Sequence, residues 1–233
     1  MGRLFNLDSP LMNGLGKMAD LIWLNILTFI CCIPIFTIGA SMTALNYVAL
    51  KIVRNEESYI TKAYFKSFKE NFKQATIIWL IMLLAVAVII ADILIFRFSD
   101  IVFPSWIKVA LIAIGVLAVF ATMHVFPVLA KFDNTIANTF KNSFFIGILS
   151  LPKTILMMVC WVIPAVISIY FIQAFPVVIA FGISGPVFIS ALLYNKTFKR
   201  FEPQEETAGD DEWFISPEEG EDAEHKEQNE EVK

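Results

Sequence analysis

Cysteine, histidine and acid are scarce in the places where chemistry would need them. The three cysteines, Cys31, Cys32 and Cys160, all lie in apolar segments, and none belongs to a C-x-x-C pair. The spacing of a thiolate metal site is therefore missing, and the cysteines read as small buried hydrophobes. The two histidines, His124 and His225, fall in an apolar run and in the acidic C-terminal stretch. No phosphate-binding lysine loop, H-E-x-x-H helix, G-x-S-x-G elbow or paired-aspartate metal motif occurs. The expectation is a protein that is not an enzyme and carries no cofactor and no metal. Nothing in the sequence asks for nucleic acid.

The shortage of acid is local. From Glu202 to Lys233 the chain holds fourteen acidic residues against two lysines, a net of −12. The whole chain has eighteen Lys and Arg against twenty-two Asp and Glu. Residues 1–201 thus keep sixteen basic against eight acidic residues, a net of +8. Two parts are expected: a basic body, 1–201, and an acidic tail, 202–233. The tail lacks a core-forming pattern and reads as disordered by composition. One apolar island, Trp213, Phe214 and Ile215, sits among its acids. It reads either as a partner-docking motif or as part of a solvated tail.

What the body has in excess is long apolar runs. Hydrophobic residues make up 57% of the chain, with 22 Phe and a mean hydropathy of +0.67, values of a membrane protein. About 20 apolar residues cross the hydrocarbon as a helix, and unbroken apolar runs in lipid must be helices, because lipid offers the backbone no hydrogen bonds. The expected fold class is all-α, a polytopic helical membrane bundle of about six spans near 18–33, 40–54, 75–96, 106–130, 154–173 and 176–194. The first two spans share one apolar stretch, Leu21–Leu50, which is too long for a single straight crossing. Pro34, Gly39 and Ser41 divide it. Ser9-Pro10 reads as a helix cap followed by a first-turn proline, so the first helix is expected to begin near Leu11.

Basic residues orient the bundle. With six spans and both termini in the cytoplasm, the inner segments hold the lysines and arginines and the outer loops only Arg97 and Lys108, in agreement with the positive-inside rule. Five spans, with the N-terminus outside, is the alternative. Two inner connectors are amphipathic. In Asn55–Gln74, Tyr64, Phe68 and Phe72 form one helical stripe and Lys62, Lys66, Lys69 and Lys73 its neighbour. This suits a helix on an anionic leaflet, or equally an extension packed on the bundle. A second segment matches the first at an offset of 76 residues, with Ile136, Phe140, Ser143 and Phe144 in place of Ile60, Tyr64, Ser67 and Phe68, a pattern shared by weak parallel repeats and by coincidence.

Polar groups inside the spans are the candidate functional residues, because they are costly there. They are Asn25 on the first helix, Pro34, Gly39 and Ser41 at the break, Asp92 with Arg97 five residues on, and His124 one turn before Pro127. Each has a structural reading as helix glue, turn or snorkelling pair.

Several stretches together carry a resemblance. They are Phe5-Asn-Leu-Asp-Ser-Pro10, Ala19-Asp20-Leu-Ile, Cys32-Ile-Pro-Ile-Phe-Thr-Ile-Gly-Ala-Ser41 with Thr43-Ala-Leu, Phe65-Lys-Ser-Phe-Lys, and Asn71-Phe-Lys-Gln-Ala75. Over residues 4–200 the chain closely resembles the YesL family, uncharacterised integral membrane proteins of Gram-positive bacteria. The resemblance implies an accessory role in carbohydrate uptake or sensing, with the lipid bilayer and carbohydrate ABC-transporter permease subunits as partners. It supplies no catalytic or binding residues. A small stand-alone transporter or channel for a neutral solute is the alternative, and association into homo-oligomers is compatible with both.

Overall fold

The first long apolar stretch breaks where proline and glycine demand it. In the computed structural model, which describes residues 10–56, 59–98, 104–171, 173 and 175–202, α1 (Pro10–Cys31) ends just before Pro34. A 3-10 turn, Ile35–Thr37, follows, and α2 (Ile38–Arg54) begins at once. Trp213, Phe214 and Ile215 lie outside the described residues, and the bundle ends as a compact unit at Arg200. Asn55 closes α2 in the left-handed conformation, φ 55°, a position that asparagine tolerates.

The remaining helices are α3 (Ile60–Phe98), α4 (Ser105–Lys131), α5 (Ile136–Leu149), α6 (Leu151–Tyr170), α7 (Phe175–Phe181) and α8 (Ser184–Phe198). Every regular element among the described residues is helical. By length and composition α1, α2, α3, α4 and α6 suit crossing a membrane, which makes this a multi-pass membrane protein.

Two elements differ from the sequence expectation. The first amphipathic connector and the span expected at 75–96 are one unbroken helix, α3, of 39 residues, about 58 Å long at ~1.5 Å per residue. The span expected at 176–194 is broken: α7 stops at Phe181 and α8 starts at Ser184. Gly182 makes the turn. Its N–H bonds to the Val178 carbonyl at 2.7 Å, and a Cβ there would sit 2.4 Å from that same oxygen.

Packing is uneven. The core gathers Leu24 of α1, Leu45 and Val48 of α2, Tyr64 of α3, Val128 of α4, Met157 of α6, and Val187, Ala191 and Tyr194 of α8. Beyond Ile78, no described residue of α3 is buried. The same holds for α4 before His124 and for α6 after Met157. The molecule thus has a packed half and three apolar arms with no fully buried side chain among the described residues. Lipid accepts such arms, since no hydrophobic force drives apolar helices together within it.

Candidate functional site

Residues at the two helix breaks and Pro127 within α4 line one cavity. It measures about 390 Å³ and lies among α1, α2, α3, α4, α6 and α8. Ile38 reaches it from the first break, Ile183 from the second, and Pro127 from α4. Irregular backbone persists in a membrane only where it is buried in protein or lines a cavity. Ile38 and Ile183 line the cavity, whereas Ile33, Ile35 and Phe36 of the first break are exposed.

Each break has its own retaining groups. At the first, Thr37 Oγ1 donates to the Cys31 and Pro34 carbonyls at 2.5 and 2.6 Å. Trp79 of α3 donates its indole N–H to the Ile35 carbonyl at 2.8 Å. At the second, Asn25 of α1 does most of the work. Its Oδ1 accepts from the Ile183 and Ser184 N–H groups at 3.1 and 2.8 Å, and its Nδ2 donates to the Ile179 carbonyl at 2.5 Å. Asn25 is fully buried, so a side chain on the first helix closes the backbone of a break 154 or more residues away.

Gly39 is needed for a helix crossing. A Cβ at this position would lie 2.4 Å from the Ala75 carbonyl and 2.7 Å from Trp79 Cβ, so α2 and α3 touch at backbone distance. Two residues on, Ser41 Oγ lies 2.6 Å from Tyr64 OH and donates to the Thr28 carbonyl at 3.4 Å. Tyr64 is thereby fully buried, and the aromatic stripe of the amphipathic segment faces the bundle. Pro34 keeps its place as the residue that ends α1 and leads into the 3-10 turn, with ψ 122°.

His124 is fully buried among α4, α5 and α6. Its Nε2 shares a 2.9 Å hydrogen bond with Thr154 Oγ1. The Thr154 hydroxyl has carbonyl acceptors at Gly147 and Ser150, so the single hydroxyl proton goes to them and Nε2–H donates. Nδ1 is then a bare acceptor without a partner. Gly147 leaves room for the ring: a Cβ there would be 3.3 Å from His124 Cδ2. Asp92 is half-buried on the unpacked arm of α3. The side chain of Arg97, its expected partner, lies outside the described residues. The structure thus brings Asn25, Gly39 and Ser41 to the packed half, close to the breaks, and keeps Asp92 and His124 apart from one another. Among the described residues no group of three or more His, Cys, Asp or Glu stands ready for a metal.

The chain region with these features has relatives. Residues 21–93 match the DUF624 family, described as proteins of unknown function. YesL proteins are DUF624 members, so the resemblance and the match agree. No curated protein matches the chain. No solved structure matches it. The DUF624 segment runs from Leu21 in α1 to Ile93 in α3 and therefore holds Asn25, the first break, Gly39, Tyr64 and Trp79. His124 and the second break lie beyond it.

Sequence reasoning missed Trp79, Thr154, Gly182 and Ser190. A signal for Gly182 is present: Gly182, Ser184, Gly185 and Pro186 stand together inside an apolar run, the same kind of punctuation as Pro34–Ser41. Trp79 and Thr154 carry no local signal, because their roles depend on partners 44 and 30 residues away.

Lys62, Lys66, Lys69 and Lys73 are all exposed on α3. The first three flank a surface hollow together with Tyr59 and Phe65. Reversing all four to Glu is expected to reduce the anionic phospholipid that copurifies with the full chain, at about 1 kcal/mol per basic residue near the surface. Lipid extraction and phosphorus assay check this. Unchanged anionic lipid in the quadruple variant refutes the contact.

Proposed function

We propose that this protein is a non-enzymatic accessory component of the cell membrane, with both termini in the cytoplasm, and that it acts by lateral contact with carbohydrate ABC-transporter permease subunits. The observation behind this reading is the set of apolar arms. The far half of α3, the first half of α4 and the second half of α6 bury no described residue. Such arms meet lipid on some faces and leave others for the spans of a neighbour. The choice of permease rests on the resemblance to YesL proteins, and the orientation rests on the basic inner loops.

A specific observation supports a second reading, a stand-alone transporter for a neutral solute. The cavity is lined in part by residues at two helix breaks and by no Asp, Glu, Lys, Arg or His among the described residues, an arrangement that suits an uncharged cargo.

Affinity purification from native membranes in mild detergent separates the two. Reproducible recovery of ABC permease subunits is the expected result. A homo-oligomer free of permease that moves solute into liposomes would overturn the accessory reading in favour of the transporter.

A further inference from the structure

We propose that the cavity is a binding site for a small uncharged amphiphile, a molecule with an apolar body and one hydroxyl or carbonyl group, and that Ser190 recognises that polar group. The inference is independent of the accessory role. The volume of about 390 Å³ falls within the ~300–1,000 Å³ of small-molecule sites. The walls are Met42, Met123, Phe126, Met157 and Trp161, soft and aromatic surfaces that adapt to an apolar body.

The polar side of the cavity is small and specific. Ser190 on α8 is 2% exposed, and its hydroxyl has no partner. Among the described residues Thr76 and Ser184 also carry a buried hydroxyl without a partner, but neither lines this cavity. Thr28, Thr43, Thr122, Thr139, Ser143 and Ser150 all donate to the carbonyl four residues back. A buried hydroxyl left unpaired is destabilising, and this one lines the cavity. Asn46 is already engaged: its Nδ2 donates to the Met42 carbonyl and its Oδ1 accepts from Tyr194 OH. The cavity thus offers one unpaired hydroxyl against a large apolar wall. A ligand hydroxyl or carbonyl oxygen can accept from Ser190. A sugar, with a hydroxyl on nearly every carbon, would leave most of them unpaired, so the site discriminates against carbohydrate.

The test uses the purified full chain in nanodiscs and 6-bromohexan-1-ol, whose bromine quenches tryptophan on contact, with Trp161 in the wall. The expected result is saturable quenching, competed by 1-octanol or by monoolein and unaffected by glucose. Competition by octanol alone points to a water-borne alcohol, and competition by monoolein to a monoacylglycerol drawn from the bilayer. Ser190→Ala is expected to weaken binding about tenfold, the size of one hydrogen bond, while the thermal midpoint stays at or above wild type because an unpaired group is removed. Ser190→Thr keeps the hydroxyl and should retain binding. Val187→Phe fills the cavity without a polar change and should abolish it. Quenching that rises linearly without saturation, competition by neither alcohol, competition by glucose, or equal affinity in wild type and Ser190→Ala would each overturn the proposal.

Discussion

Gly39→Leu is expected to leave no folded protein after extraction, and Gly39→Ala to lose about 2–3 kcal/mol of stability. The added methyl of alanine has nowhere to go: the Ala75 carbonyl stands at 2.4 Å and Trp79 Cβ at 2.7 Å, both rigid parts of α3. Relief requires the two helices to separate, and overpacking of this kind costs roughly 1–3 kcal/mol, sometimes more. Separation also moves Trp79 away from the Ile35 carbonyl and so opens the first break. Small residues at helix crossings in membranes serve this close approach. Denaturation of the purified variant in mixed micelles by added SDS checks the value. An alanine variant that unfolds together with wild type would mean that α2 and α3 do not meet at backbone distance.

Asn25→Leu has the second large effect. It leaves the N–H groups of Ile183 and Ser184 and the carbonyl of Ile179 without their side-chain partner. Buried polar groups cost about 1–3 kcal/mol each when unpaired, so a loss on the order of 3 kcal/mol is expected. Asn25→Asp is a sharper probe. It keeps the oxygen that receives both N–H groups and loses only the donor to Ile179, so it should fall between wild type and the leucine variant. Amide exchange at Ile183 and Ser184 should accelerate in Asn25→Leu. Unaltered exchange at both positions would show that the α7–α8 break is held by other groups.

These two residues also show how far the sequence could be read. The first break was legible because Pro34 and Gly39 interrupt an apolar run too long for one span, and Asn25 was legible as a buried polar group that must find a partner. The partner itself was not legible, since it lies on the backbone of a segment far along the chain. The second break has the same local punctuation in Gly182, Gly185 and Pro186, but the run around it has the length of one span, so length gave no reason to divide it. The continuity of α3 was hidden for the opposite reason. Between Asn71 and Ile78 the residues change from amphipathic to wholly apolar, yet neither Gly nor Pro intervenes. The change at Ala75 is one of surroundings, from packed bundle to apolar arm, and the backbone runs straight through it. Of the candidate site, the first break could be located from the sequence. The cavity could not, because its walls come from six helices and only their packing defines it.

A single rod about 58 Å long that crosses its neighbour at Ala75 is a lever. Phe98 lies 23 residues past that crossing, about 34 Å away at ~1.5 Å per residue. A tilt of ~10° about Gly39 therefore carries the tip of α3 through about 6 Å, more than the width of one side chain. The packed end of the same rod holds Tyr64 against Ser41 and Trp79 against the first break. Trp79 of the same rod lines the cavity, so the crossing at the glycine and one wall of the cavity belong to a single helix.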